Sequence, residues 1–182
     1  MRLSHGFMDM KKTGSGGFTL IELLITIAIA AILFAIATPS FTGMIKNNRL
    51  AVQTNDLVAD LALARGEAAK RGTRVSICIS SNGTSCTGTD WALGRLIYTD
   101  GGTAGSVDGT DEILRVTSAL KGTSVLTSAG FANAGYIQYL ASGATDSAGT
   151  FKLCDDRTGN FGRQITISTT GRAITQLDQA CP

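Results

Sequence analysis

The stretch GSGGFTLIELLITIAIAAILFAIATPSF, from Gly14 to Phe41, decides the fold of this chain because it joins a polar start to a long apolar run. The 20 residues from Phe18 to Ala37 contain one charged side chain, Glu22. About 20 apolar residues are enough for a helix to cross the hydrocarbon core of a membrane. We therefore predict a membrane-spanning helix that carries one carboxylate near its polar end.

Charge is distributed unevenly around this run. The basic residues Arg2, Lys11 and Lys12 precede it together with Asp9, and they account for the net charge of +2 of the 182-residue chain. The positive-inside tendency then keeps the N-terminus in the cytoplasm and sends the rest of the chain across the membrane. Because the remainder is neutral, a general electrostatic attraction to nucleic acid is not expected.

Three other interpretations of the run remain open on physical grounds. It could be a secretory signal peptide with a small-residue cleavage site at Ala35-Ile36-Ala37, although the run is longer than the usual apolar region and contains an acid. It could be a plain signal anchor, which leaves the energetic cost of Glu22 unexplained. It could also be a buried helix of a soluble protein.

The helix is predicted to continue beyond the apolar run and to end near Gly72. Pro39 lacks a backbone N–H, so we expect a kink there. Lys70 and Arg71 favour the negative end of a helix dipole, and Gly72 is a typical stop. Apolar residues recur mostly every three, four or seven positions, which predicts one buried stripe formed by Ile45, Val52, Leu57, Leu61, Ala64 and Ala68. The charged residues are expected to face elsewhere, namely Lys46, Arg49, Asp56, Asp60 and Glu67.

Beyond Gly72 the sequence has the two-residue alternation of β-strands, and no further helix is predicted. The predicted strands cover residues 74–80, 93–98, 113–116, 124–126, 136–140, 150–154 and 164–168. The predicted fold class is therefore α+β, with one long N-terminal helix packed on an antiparallel β-sheet domain.

Four cysteines lie in this β-rich region: Cys78, Cys86, Cys154 and Cys181. An even count beyond a membrane segment indicates an oxidising compartment and two disulfides. Four cysteines allow three pairings. Proximity along the sequence favours Cys78–Cys86 and Cys154–Cys181.

No residue pattern indicates an enzyme or a bound cofactor. His5 is the one histidine, and no serine or cysteine has an evident base. Acidic residues in a glycine-rich stretch could bind calcium, but their spacing is not that of an EF-hand, so we interpret them as a solvated loop without a metal. They are Asp100, Asp108, Asp111 and Glu112.

The residues Gly17-Phe18-Thr19-Leu20-Ile21-Glu22-Leu23-Leu24, with the short basic leader before them, resemble the cleavage and methylation motif of type IV prepilins and type II secretion pseudopilins. The resemblance implies that a prepilin peptidase cuts between Gly17 and Phe18 and that Phe18 is N-methylated. It also implies that Glu22 pairs with the new amine of a neighbouring subunit. An opposite-charge contact near 4 Å is worth roughly 4 kcal/mol at an effective dielectric of about 20.

Two later stretches resemble the GspH/FimT family of minor pseudopilins: residues 91–100 with the acidic loop and 112–114, and residues 149–154 with 163–172. The cysteine-bearing tail resembles the pilus-type, FimU- and FimT-like members more than the secretion type. The resemblance implies a pilin-like fold in four parts. These are a leader peptide (1–17), a membrane-spanning and filament-core half-helix (18–38), an amphipathic half-helix (39–72) and a periplasmic β-rich head (73–182).

The function that this resemblance implies is association. We expect a minor pilin that primes or caps a type IV pilus and supports motility, adhesion or DNA uptake. A DNA-binding minor pilin and a type II secretion minor pseudopilin are the alternatives. The implied partners are other minor pilins, the major pilin, the prepilin peptidase and the inner-membrane assembly platform. The implied location is the bacterial inner membrane, with the head in the periplasm, and then the pilus or pseudopilus.

DNA contact rests on an incomplete match. Some FimT-type pilins have a Gly-Arg-x-Arg tail, whereas the matching stretch here, Gly171-Arg172-Ala173-Ile174, lacks the second arginine. Arg157, Arg163 and Arg172 could still group on one face and contact phosphates. We expect them instead to be solvated surface.

Overall fold

The structure is a computed structural model that describes residues 17–182 of the chain. The predicted leader, apart from Gly17, lies outside the described residues. The chain divides into two compact units, one up to Thr42 and one from Gly43 to Pro182. The helix α1, Leu20–Arg71, begins in the first unit and continues into the second, which also contains every strand. The kink expected at Pro39 and the exact limits of the four predicted parts stay predictions.

Both ends of α1 have the local chemistry that a helix end requires. At the start, the Thr19 hydroxyl accepts a hydrogen bond from the backbone N–H of Glu22 at 3.2 Å. At the other end, Gly72 adopts a positive φ of 66°, and its N–H donates to the carbonyl of Ala68 at 3.0 Å. Glycine adopts this left-handed conformation without a Cβ clash, so the predicted stop at Gly72 is confirmed.

Within residues 17–182, eight antiparallel strands form two four-stranded sheets. The strands are β1 (Val75–Ile79), β2 (Gly94–Thr99), β3 (Ile113–Ser118), β4 (Val125–Ala129), β5 (Tyr136–Tyr139), β6 (Gly149–Cys154), β7 (Gly159–Ile167) and β8 (Ala173–Cys181). The first sheet has the order β3-β2-β1-β5 and the second the order β4-β6-β7-β8. The predicted α+β class with a helix and antiparallel sheets is confirmed.

The first sheet is covered on both faces, which explains why all five residues of β1 are buried. On one face Ile77 lies opposite Ile97 and Ile137, and these side chains join the main core beneath α1. On the other face Cys78 lies opposite Leu96, and both belong to a smaller cluster that the loops after β1 and β2 cover. The second sheet supplies the rest of the main core through Leu126, Phe151, Leu153, Ile165 and Ile167.

The buried stripe of α1 differs from the prediction at its N-terminal end. Ile45 is 62% exposed and Val52 is 59% exposed. The side chains that do face the core are spaced by three and four residues and are Leu50, Thr54, Leu57, Leu61, Ala64 and Ala68. Because residues two apart on a helix point about 200° apart, the position of Val52 lies opposite that of Thr54. The prediction is therefore right from Leu57 onward and wrong for Ile45 and Val52.

Asp60 is a second correction, since it was expected to face away from the core and is 0% exposed. Its Oδ2 accepts hydrogen bonds from Arg95 Nε at 3.0 Å, Arg95 Nη2 at 2.7 Å and the Thr117 hydroxyl at 3.0 Å. Its Oδ1 lies 3.1 Å from Arg115 Nε. Arg95 is itself only 1% exposed. The ion pair therefore joins α1 to β2 and β3 inside the protein.

Two further elements differ from the sequence prediction. A single 3-10 turn, Trp91–Leu93, precedes β2 and is capped by the Asp90 side chain, which accepts from the N–H of Ala92. No strand was predicted where β8 lies. This edge strand pairs only with β7, is largely exposed, and is irregular near Asp178, which has a positive φ of 56°.

The four cysteines form two disulfides, Cys78–Cys86 and Cys154–Cys181. These are the pairs that proximity along the sequence favours. The first closes the loop after β1, and the second joins the end of β8 to the end of β6.

We predict that Asp60→Asn destabilises the head by about 3–5 kcal/mol, because it leaves the buried Arg95 guanidinium without a balancing charge. Chemical denaturation of the oxidised chain measures the change. Asp56→Asn is the matched control, since Asp56 lies one turn earlier and is exposed; we expect a change within about 0.5 kcal/mol. Equal effects of the two substitutions would contradict the importance of the buried pair.

Candidate assembly surface

The first half of α1 presents apolar side chains on all sides. Between 49% and 77% of each large apolar side chain from Phe18 to Ile36 is exposed in the single chain. Among the described residues, α1 is the one helix long and apolar enough to cross a membrane. An apolar surface of this length needs a cover, which lipid or the helices of other subunits can provide.

The hydroxyl groups in this half-helix are bonded within the helix. Thr26 Oγ1 donates to the carbonyl of Leu23 at 2.8 Å, and Thr38 Oγ1 donates to the carbonyl of Phe34 at 2.6 Å. Such internal bonds remove the cost of placing a hydroxyl in an apolar environment. Glu22 therefore remains the single charged side chain of the segment from Phe18 to Ile45.

Thr19 and Glu22 also form a pattern that the sequence interpretation missed. Thr-x-x-Glu is the capping-box sequence, in which the threonine hydroxyl accepts from the N–H of the glutamate, as observed here. An acid in the first turn also interacts favourably with the positive end of the helix dipole. Thr19 therefore caps the start of the helix, and Glu22 adds a favourable first-turn charge in addition to any role between subunits.

The second half of α1 carries an exposed uncharged seam on the face opposite its buried stripe. The seam follows alternating three- and four-residue steps, the spacing of helices that pack against each other over a long distance. All eight of its residues are exposed: Ile45, Asn48, Val52, Asn55, Ala59, Ala62, Gly66 and Ala69. Large side chains lie at its beginning and small ones at its end, so another helix could approach most closely near Gly66.

Gly66 has no structural reason to be glycine within the single chain. A Cβ added there would meet nothing within 4 Å. Glycine in a helix interior costs about 0.5–1 kcal/mol relative to alanine. Close approach of a second backbone would explain why this position has no side chain.

The acidic loop between β2 and β3 is held together by its own carboxylates. Asp100 is 0% exposed, and its Oδ2 accepts from Ser76 Oγ at 2.6 Å, Gln138 Nε2 at 2.9 Å and the N–H of Gly105 at 2.9 Å. Asp108 and Asp111 accept from backbone N–H groups of the same loop. The interpretation as a solvated loop is therefore wrong for Asp100. In the region from Gly17 onward no group of three or more potential ligand residues could hold a metal ion.

Two separate segments of the chain match known protein families. Residues 53–171 match the family described as Type II transport protein GspH, and residues 12–38 match the prokaryotic N-terminal methylation motif. The chain belongs to the GspH family. It is a minor pilin or pseudopilin of the type that assembles in a type IV pilus or a type II secretion system. No curated protein matches the chain.

Solved structures of two bacterial proteins share the fold of this GspH-family chain. The type IV minor pilin FimU of Pseudomonas aeruginosa is 24% identical, with a TM-score of 0.57 over 74% of this chain and 91% of FimU. The minor pseudopilin EpsH from the type 2 secretion system of Vibrio cholerae is 13% identical, with a TM-score of 0.53 over 71% of this chain and 97% of EpsH.

The three arginines considered for DNA contact are not brought together in this GspH-family member. Arg157 precedes β7, Arg163 lies within it, and Arg172 follows it, so the first and last lie at opposite ends of that strand. The Arg157 side chain also donates to the Asp155 carboxylate through Nε at 3.0 Å and Nη2 at 2.7 Å, and its guanidinium carbon lies 4.2 Å from the centre of the Phe161 ring. Burial raises the pKa of the Asp155 carboxyl, but the hydrogen bonds from Arg157 outweigh it and hold that pKa below its ordinary value. DNA contact therefore stays a prediction, and no single surface that contains all three arginines supports it.

We predict that Gly66→Ala stabilises the isolated subunit by about 0.5–1 kcal/mol, because alanine restricts the unfolded chain and nothing obstructs its Cβ. The same substitution should reduce the fraction of the subunit found in assembled filaments, because the added methyl group keeps a second helix away. Denaturation and quantitative immunoblotting of sheared filaments measure the two effects. Asn47→Ala, exposed but outside the seam, should assemble normally. Normal assembly of Gly66→Leu would contradict close packing at this position.

Proposed function

We propose that this GspH-family protein is a minor pilin that joins other minor pilins and the major pilin to prime or cap a type IV pilus. The observation that carries the proposal is the two-sided α1, whose exposed seam and apolar first half remain uncovered in the single chain. The chain is 24% identical to FimU and 13% identical to EpsH, and the higher identity to FimU favours the pilus over the secretion system.

Processing would release the assembly-competent form. We infer that a prepilin peptidase cuts between Gly17 and Phe18 and that Phe18 is then N-methylated, with the precursor held in the inner membrane by the apolar half of α1. Gly17, Phe18 and Thr19 precede the helix and are exposed. A peptide bond outside regular secondary structure is accessible to a peptidase, which supports cleavage at this point.

Glu22 would guide insertion of the subunit through its charge. A carboxylate surrounded by apolar helices is unfavourable until it meets an opposite charge. The amine created at Phe18 of a neighbouring subunit supplies that charge. The capping role and the pairing role predict different effects on assembly when Glu22 is replaced. Comparing a glutamine with an alanine at this position separates them.

We predict that Glu22→Gln impairs assembly as strongly as Glu22→Ala. Glutamine retains the capping-box chemistry but has no charge, so the pairing role is removed together with a helix-dipole interaction of only about 0.3–1 kcal/mol. Both variants should be processed and inserted normally, because neutralising an acid lowers the cost of membrane insertion. Immunoblots of membrane and sheared-pilus fractions measure both steps. Normal incorporation of Glu22→Gln together with a defect in Glu22→Ala would show that capping, and not pairing, is required.

Mass spectrometry of sheared pili tests the proposed function as a whole. We expect a peptide that begins at Phe18 and carries one N-terminal methyl group, recovered in amounts far below those of the major pilin. Deletion of the gene should reduce surface pili without blocking protein secretion.

Other outcomes would identify the alternatives. Normal piliation with loss of secretion would assign the chain to a type II secretion system. A mature chain beginning at Thr38 would indicate an ordinary signal peptidase and would exclude the pilin proposal.

A further inference from the structure

A groove of about 510 Å³ opens between α1 and the segment that connects β3 to β4. The side of α1 contributes Asn48, Arg49, Val52, Gln53 and Asp56, and the facing side contributes Arg95 of β2 with residues 117–121. Asn48 and Val52 also belong to the exposed seam. A subunit packed on the seam would therefore pass the mouth of this groove.

The groove contains polar atoms that no group of the described chain satisfies. Arg95 uses Nε and Nη2 to bind Asp60, whereas its buried Nη1 has no hydrogen-bond partner. Gln53 donates through Nε2 to the carbonyl of Lys121 at 3.0 Å, and its Oε1 is a buried acceptor without a partner. Arg49 Nε is a further buried donor without a partner. A buried guanidinium N–H without an acceptor is costly, so a ligand that supplies an acceptor would be favoured.

The charge of the groove defines the kind of acceptor. Arg49, Arg95 and Lys121 line it, and Asp56 is the one acid in the lining. Asp60, behind the lining, is shared between Arg95 and Arg115 and so cannot balance them both. This local positive excess occurs in a chain whose residues after the leader carry equal numbers of acidic and basic side chains. A carboxylate matches the donors of guanidinium groups best.

We propose that this groove binds an acidic side chain of a neighbouring pilin subunit, with the carboxylate accepting from Arg95 Nη1 and balancing Arg49 and Lys121. The inference rests on the proposed function for its partner, since a neighbouring subunit supplies the acid. The groove would then fix the register of two subunits whose helices meet along the otherwise uncharged seam.

Binding of small carboxylate probes to the processed full chain in non-ionic detergent micelles tests the groove without any filament. The probe is N-acetyl-L-glutamate amide, and N-acetyl-L-glutamine amide is its neutral control. With arginine labelled in ¹⁵N, we expect a saturable shift of the Arg95 Nε–H signal with the glutamate probe and none with the glutamine probe at equal ionic strength.

A double variant, Arg49→Gln with Lys121→Gln, locates the site. Its binding of the glutamate probe should be about tenfold weaker, because two charges at the groove are lost. Arg172→Gln, which removes an exposed basic side chain outside the groove, should bind as the unaltered chain does. Equal shifts with both probes, a shift that never saturates, or unchanged binding in the double variant would each overturn the proposal. Because the readout uses no assembled pilus, failure here is distinct from failure of the pilus function.

Discussion

The helix α1 must bury two opposite faces, and the rest of the molecule is arranged around this constraint. One face is covered within the chain by the two sheets, through side chains such as Leu57 and Leu61 that are almost fully buried. The other face remains exposed as an uncharged seam. The first half of the helix is apolar all around. Intramolecular burial stabilises the head, whereas the remaining apolar surface can be buried only by lipid or other subunits. Folding and assembly thus use different faces of one element.

The Asp60–Arg95 pair gives this arrangement its specificity. Apolar contacts between a helix and a sheet tolerate small shifts and rotations, whereas two charge-assisted hydrogen bonds from Arg95 to the one buried oxygen Asp60 Oδ2 do not. Asp60 lies between the buried stripe and the groove, and Thr117 and Arg115 approach the same carboxylate from β3. The pair therefore fixes how α1 is rotated about its axis, and this rotation determines which side chains form the exposed seam.

The sequence predicts the elements better than their faces. A run of 20 residues with one charge and the alternation in β1 are local signals, so α1, most strands and the α+β class could be predicted. Asp60 could not be placed, because a charge in an amphipathic pattern reads as exposed until its distant partner Arg95 is known. Ile45 and Val52 were misplaced because apolar residues also occur on the exposed, uncharged face of the helix. β8 has no clear alternation, since it is an exposed edge strand held by its register with β7. Spacing alone did not separate the seam from the buried stripe, so the seam and its exposure required the structure.

The disulfide between Cys154 and Cys181 has a consequence for how this head can associate. An edge strand such as β8 is usually the element that can leave its own sheet and pair with a neighbouring molecule. Here one end of β8 is continuous with β7 through a short turn, and the other is bonded to β6. The strand cannot detach from either end while the bond is intact. Neighbouring subunits can therefore pack against this head, but in an oxidising compartment they cannot exchange its last strand with their own.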